Sequence, residues 1–145
     1  MSWAGKRCFT KRIRSLFRKG QAPVSSGASR ALDPDLRRSL EQKLQRWVDG
    51  KGYRMPDQNV RDAARRIGTD SVTLCRYFWE EGIDFRTWRA QLRIEDAKAE
   101  LLLEPHTPAS TIARRVGISD RSNFLRQFSQ HCGMTPEQWR KASGL

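Results

Sequence analysis

The feature that most constrains this chain of 145 residues is that it contains one segment twice. AARRIGTDSVTLCRYFWEEGIDFRTWR, beginning at Ala63, runs parallel to TIARRVGISDRSNFLRQFSQHCGMTPEQWR, beginning at Thr111. Ala64, Arg65, Arg66, Ile67 and Gly68 recur as Ala113, Arg114, Arg115, Val116 and Gly117, each forty-nine positions on. Arg76 and Phe78 recur as Arg126 and Phe128 at fifty, and Gly82, Trp88 and Arg89 as Gly133, Trp139 and Arg140 at fifty-one. The one-residue slips fall where turns are expected, so one structural unit is built twice.

Hydrophobic spacing says what that unit is made of. Asp33 can cap a helix with Pro34 at its first position, and Leu36, Leu40, Leu44, Trp47 and Val48 follow at helical intervals until Gly50 and Gly52 end it. Asn59 starts a second helix with Val60, Ala63, Ala64 and Ile67 inward and Gly68 closing it; a third spans about Asp70 to Glu80 around Leu74, Tyr77 and Phe78. After Gly82, Asp84 caps a longer helix carrying Phe85, Trp88, Leu92, Ala97, Leu101 and Leu102, which Pro105 and Pro108 interrupt. The second copy then reads as a helix from Thr107 and Pro108 through Ile112, Ala113 and Val116 to Gly117, and one from about Asp120 to Cys132 on Phe124 and Phe128. Thr135, Pro136 and Gln138 begin a last short helix containing Trp139. No useful stretch alternates with period two. The fold class is therefore all-α, with about seven helices in two helix-turn-helix lobes. The expected boundaries are a tail over 1–31, a first lobe over 32–83, a linker helix over 84–104 and a second lobe over 105–145.

A helix-turn-helix needs a small residue where two helices cross and a glycine where the chain reverses, supplied by Ala64 and Gly68, then by Ala113 and Gly117. An apolar anchor seats the second helix: Leu74 and Phe78 in one copy, Phe124 and Phe128 in the other. A helix fits the DNA major groove, where each base pair shows a distinct pattern of donors, acceptors and methyls. Exposed side chains on the first half of that helix are therefore candidate base readers: Val72, Thr73, Cys75 and Arg76, then Arg121, Ser122, Leu125 and Arg126. Val72 could touch a thymine methyl, and Arg121 could pair with guanine. Ser71, Arg65, Arg66, Arg114 and Arg115 are candidate phosphate contacts, the arginines alternatively balancing charge.

Charge agrees with a polyanionic partner. Lys and Arg number 28 against 16 Asp and Glu, a formal net charge of +12 with pI near 10.6. Residues 1–30 hold eight basic and no acidic side chains, residues 31–104 fourteen of each, and 105–145 six against two. KRCFTKRIRSLFRKG reads as a basic amphipathic helix, with Phe9, Ile13, Leu16 and Phe17 on one face, and GQAPVSSGASRA as a flexible linker. Residues 1–19 could serve as an extra DNA-binding arm, attach to an anionic membrane, or follow an upstream membrane or sensor region. Cys8, Cys75 and Cys132 form neither a disulfide framework nor a zinc spacing, and the absence of a spanning run or signal peptide leaves a cytoplasmic setting. Trp47, Trp88 and Trp139 read as core, His106 and His131 as bland surface or cap positions. No nucleophile with a base, phosphate loop or metal cluster is visible, so neither an enzyme nor a cofactor is expected.

IARRVGISDRSNFLRQFSQHCGMTPEQWR resembles the second helix-turn-helix signature of the AraC/XylS family of bacterial regulators, and RIEDAKAELL resembles that family's linker helix. Ile118 and Asn123 depart from it, standing where an aromatic and a Tyr are common. The resemblance covers the chain from Leu32 onward. It implies a double-stranded DNA-binding transcription regulator, an activator working through RNA polymerase, with two recognition helices in successive major-groove segments, about 34 Å apart. An asymmetric site of this kind is compatible with a monomer. It also implies that Arg93 makes a structural ion pair against the first lobe. The second unit, with more charge on its reading helix, is expected to dominate specificity while the first anchors. The rival readings are a nonspecific architectural nucleic-acid-binding protein and a helical membrane or protein interaction module.

Overall fold

In a computed structural model of the chain, the described residues are 31–56 and 58–144. They form seven α-helices and one 3-10 turn, with no strand among them. The helices are α1 (Pro34–Asp49), α2 (Val60–Ile67), α3 (Ser71–Glu80), α4 (Phe85–Leu103), α5 (Ala109–Arg115), α6 (Arg121–Cys132) and α7 (Pro136–Ala142); the 3-10 turn is Gly52–Arg54. The readings made for residues 1–30, Cys8 included, lie outside the described residues.

The chain divides into two compact units. Unit 1 comprises the described residues up to 51 together with 59–87. Asp33 accepts a hydrogen bond from the Leu36 amide and Pro34 opens α1, as the cap chemistry requires. Leu40, Leu44, Trp47 and Val48 line the inner face of α1. They meet Ala63, Ala64 and Ile67 of α2 and Leu74, Tyr77 and Phe78 of α3 in one core. Phe85 completes it, its ring 5.7 Å from Trp47 and 5.6 Å from Phe78. Leu36, expected inside, is 45% exposed. Arg37 ties this unit together by pairing with Glu80 at 2.9 Å and with Glu81, while Glu80 also accepts from the Leu32 amide.

Unit 2 comprises the described residues of 52–58 together with 88–144. Its core is Ile94, Ala97 and Leu101 of α4 with Ile112, Ala113, Val116, Ile118, Phe124 and Phe128. Tyr53, Arg54, Met55 and Gln58 precede α2 in the chain yet group here, because α4 binds them. Arg54 makes a forked pair with Asp96 at 2.6 and 2.8 Å, Tyr53 donates to Asp96 at 2.9 Å, and Arg89 donates to the Gln58 carbonyl at 2.6 Å. Burial, then the neighbouring Asp96 charge, push the Tyr53 phenol well above its ordinary range. Arg93, expected to be structural, donates to the Tyr53 and Met55 carbonyls at 2.7 and 2.8 Å. Leu92 and Leu102, expected inside, are half-buried at the edges of the stripe, and Ile94, which the pattern missed, is fully buried. Trp47 and Trp88 are buried; Trp139 is partly buried, packed under the Lys98 ammonium at 4.6 Å.

His131 is the clearest departure from expectation. Its Nε2 lies 2.7 Å from Glu95 Oε1, joining the C-terminal end of α6 to the middle of α4. That hydrogen bond first, and then the nearby Lys98 charge, lower the Glu95 carboxyl from 4.5 to about 2 despite its burial.

Candidate nucleic-acid interface

In each unit the second helix of the pair is built by the same local devices. Asp70 accepts from the Thr73 amide at 2.8 Å at the start of α3, and Asp120 accepts from the Asn123 amide at 2.7 Å at the start of α6. The preceding turns match too. Gly68 and Gly117 both have φ +98°, a left-handed conformation that suits glycine. The next amide reaches back to the helix before it, Thr69 to the Ala64 carbonyl and Ile118 to the Ala113 carbonyl, each at 2.9 Å. With Leu74, Tyr77 and Phe78 inward on α3 and Phe124 and Phe128 inward on α6, the opposite faces are fixed toward solvent.

On α3 that outer face carries Val72, Cys75, Arg76 and Trp79, which recur at i, i+3, i+4 and i+7 and are all exposed. Val72 is 70% exposed, which for an aliphatic side chain on a helix of well-packed core leaves its methyls open to a partner. Ser71 is half-buried at the first position. Thr73 is half-buried as well, and its hydroxyl donates to Asp70 Oδ2 at 2.7 Å. Of the predicted readers it is therefore the one already committed to the cap, with only acceptor lone pairs to spare. The Asp70 carboxyl is held below its usual range by the Thr73 amide and hydroxyl.

On α6, Arg121, Ser122 and Arg126 are exposed and Leu125 is half-buried. Arg121 and Leu125 border a cleft of about 460 Å³ with Phe124, Pro108, Pro136 and Arg140. Asn123, noted in the sequence only as a departure from the family pattern, organises this face. Its Oδ1 accepts from Arg126 Nη2 at 2.7 Å and from Gln127 Nε2 at 3.0 Å. One end of the Arg126 guanidinium is thereby held along the helix, which leaves the side chain less rotamer freedom to lose on binding. The sequence of α6 contains no acidic residue, and the one acid of α3, Glu80, is paired with Arg37.

The predicted phosphate contacts separate into two groups. Arg65, Arg66 and Arg114 are exposed. Arg66 stands with Lys43 and Arg46 around a space of about 290 Å³ over Trp47 and Ile67, and Lys43 donates to the Gly68 carbonyl at 2.9 Å. Arg115 instead pairs with Glu104 at 2.7 Å and Glu100 at 3.2 Å, the charge-balancing alternative. Trp79 and Asn123 are what sequence reasoning missed on these faces. The first was legible as a Trp seven residues after Val72, the second only from geometry.

Among the described residues, no group of acids, histidines and cysteines is arranged to hold a metal ion, and no helix is long and apolar enough to cross a membrane. Residues 63–142, more than half of the chain, match the family described as a helix-turn-helix domain. The chain is 36% identical over 76 residues to the HTH-type transcriptional activator CfaD of Escherichia coli, covering 52% of this chain and 28% of that protein. It is 25% identical over 135 residues to the regulatory protein PocR of Salmonella typhimurium, covering 92% and 44%. It thus spans less than half the length of these curated relatives. Among solved structures, the C-terminal domain of AraT, a response regulator from Geobacillus stearothermophilus, aligns with TM-score 0.58 and 28% identity over 78% of this chain and 88% of that one. The C-terminal domain of the response regulator yesN from Fusobacterium nucleatum gives TM-score 0.59 and 27% identity over 69% and 96%. With the repeated helix-turn-helix and these likenesses together, the chain belongs to the AraC/XylS family of helix-turn-helix transcription regulators, which are not enzymes.

Proposed function

We propose that this chain is a sequence-specific double-stranded DNA-binding regulator acting in the cytoplasm, with α3 and α6 each inserted in a major-groove segment of one asymmetric site. The single observation that carries the reading is the recurrence of an exposed, acid-free outer face on the second helix of both units, with Arg76 and Arg126 at the same place in each. Val72, Cys75 and Arg76 read bases from α3, with Thr73 limited to accepting; Arg121, Ser122, Leu125 and Arg126 read from α6. Ser71, Arg65, Arg66 and Arg114 contact phosphate and set register, and Arg115 supports α4 instead. Because Arg126 is oriented by Asn123, α6 contributes more discrimination than α3. Activation through RNA polymerase belongs to the same proposal, and the similar protein CfaD is a transcriptional activator.

Selection of bound sequences from a random DNA pool tests this. The selected duplex is expected to bind on the order of 10³-fold more tightly than random duplex at fixed salt, and a difference under about tenfold refutes specific regulation in favour of an architectural role. Arg126→Ala is expected to cost about 1–3 kcal/mol and to relax preference at one base pair.

A further inference from the structure

The outer face of α3 ends in a residue that base reading leaves unused. Trp79 is 44% exposed, and among the described residues its indole has neither a ring partner nor a hydrogen-bond acceptor. It lies on the stripe of Val72, Cys75 and Arg76, two helical turns from Val72. Seven residues at 1.5 Å each separate Val72 and Trp79 by about 10 Å along the axis, close to the major-groove width of about 12 Å. If α3 brings Val72 to the base edges, Trp79 stands where the groove meets its sugar-phosphate wall. The acids beside it are no obstacle, since Arg37 pairs with both Glu80 and Glu81. In the second copy the corresponding position is Ser129, half-buried, so this feature is peculiar to the unit with the fewer polar readers.

We propose that Trp79 is a DNA-backbone contact that positions α3 in its groove, the indole face packing on deoxyribose C–H groups and Nε1–H donating to a phosphate oxygen. The assignment rests on the DNA-binding reading above. Indole supplies a large apolar area at low side-chain entropy, together with one donor and no acceptor, which matches sugar flanked by phosphate.

The test uses the full chain with Trp79→Ala, Trp79→Phe and Arg126→Ala, titrated against selected and random duplexes at fixed salt. Trp79→Ala is expected to weaken both duplexes by about tenfold with the preferred sequence unchanged, and Trp79→Phe to recover most of that loss. In protein labelled with 5-fluorotryptophan, the fluorine resonance that disappears in Trp79→Phe should shift when the selected duplex is added. The proposal is overturned if Trp79→Ala binds as wild type while Arg126→Ala weakens binding, or if that resonance does not move. It is equally overturned if the variant changes which bases are preferred, which makes Trp79 a base reader. Retained DNA affinity with lost transcription assigns the face to a protein partner and overturns it too. Failure of the wild-type chain to discriminate selected from random duplex refutes the regulator reading separately, since it is read without any Trp79 variant.

Discussion

Replacing each turn glycine by alanine should separate two costs that are usually confounded. Gly68 and Gly117 occupy the same place in the two copies and share φ +98°. An alanine at either position is forced into a left-handed conformation, a strain of about 1–2 kcal/mol. What surrounds the two differs. A Cβ at Gly68 would lie 3.7 Å from the Lys43 Cδ, an ordinary contact with a flexible side chain. At Gly117 it would lie 2.5 Å from the Arg54 carbonyl oxygen, 2.9 Å from its carbon and 3.0 Å from Arg93 Nε. That carbonyl cannot swing aside freely, because Arg54 is forked onto Asp96 and its neighbour Tyr53 is bound by Arg93. Overpacking against such a wall adds about 1–3 kcal/mol. Gly68→Ala should therefore cost about 1–2 kcal/mol and Gly117→Ala about 2–5 kcal/mol. Because the chain forms two units, a single melting curve is a poor measure, and the cost is better read from amide hydrogen exchange. The probes are the helical amides of Ala64 and Ile67 for one variant, and those of Ala113 and Val116 for the other. Losses equal within about 0.5 kcal/mol would refute the argument that Gly117 is needed for close approach as well as for its backbone angle.

Three further outcomes follow from other contacts. Glu95 has a folded pKa of about 2 against 4.5, so its contribution is complete above pH 4.5 and is lost as pH falls from there toward 2; Glu95→Gln should flatten the acid limb of unit 2 stability followed by exchange or near-ultraviolet dichroism. Asp96→Ala leaves the half-buried Arg54 without its forked partner and should destabilise unit 2 by about 3 kcal/mol, whereas unit 1 amides should be unaffected. Arg65→Ala and Arg66→Ala should each reduce the slope of log affinity against log salt by about one while the selected sequence stays the same; an altered sequence preference would make them base readers.

How much of this was legible in the sequence depended on how far apart the interacting groups lie in the chain. Caps are local, and Asp33, Asn59, Asp84 and Thr135 each accept an amide a few residues on, as expected. The buried stripes were legible at their centres. Their edges were not: Leu36, Leu92 and Leu102 carry the right spacing, but coverage depends on a neighbour that spacing does not reveal. The bonds that gather Tyr53, Arg54, Met55 and Gln58 onto α4 join positions 31 to 46 apart, and the His131 to Glu95 bond joins positions 36 apart. Histidine without a partner nearby in sequence can still have one in space, and only the packing of α6 on α4 supplies it.

The two copies agree in what the backbone demands and differ where it demands nothing. Each keeps the capping Asp, the left-handed Gly and the amide that reaches back five residues, since losing any of them would cost stability in that unit. On the outer faces packing constrains the choice less, and there Val72, Cys75 and Trp79 of α3 correspond to Ser122, Leu125 and Ser129 of α6 in the repeat. Only the arginine, 76 or 126, is common to both. A free surface would be expected to drift toward polar side chains, yet α3 keeps a valine, a cysteine and a tryptophan in the open. An apolar stripe ending in an aromatic suits thymine methyls and deoxyribose, and an Asn-oriented Arg beside serines suits donors and acceptors of the bases. On the proposed reading the asymmetry is chemical as well as quantitative, each face suited to different groups of the DNA, and exchange of one face for the other should not preserve the selected sequence.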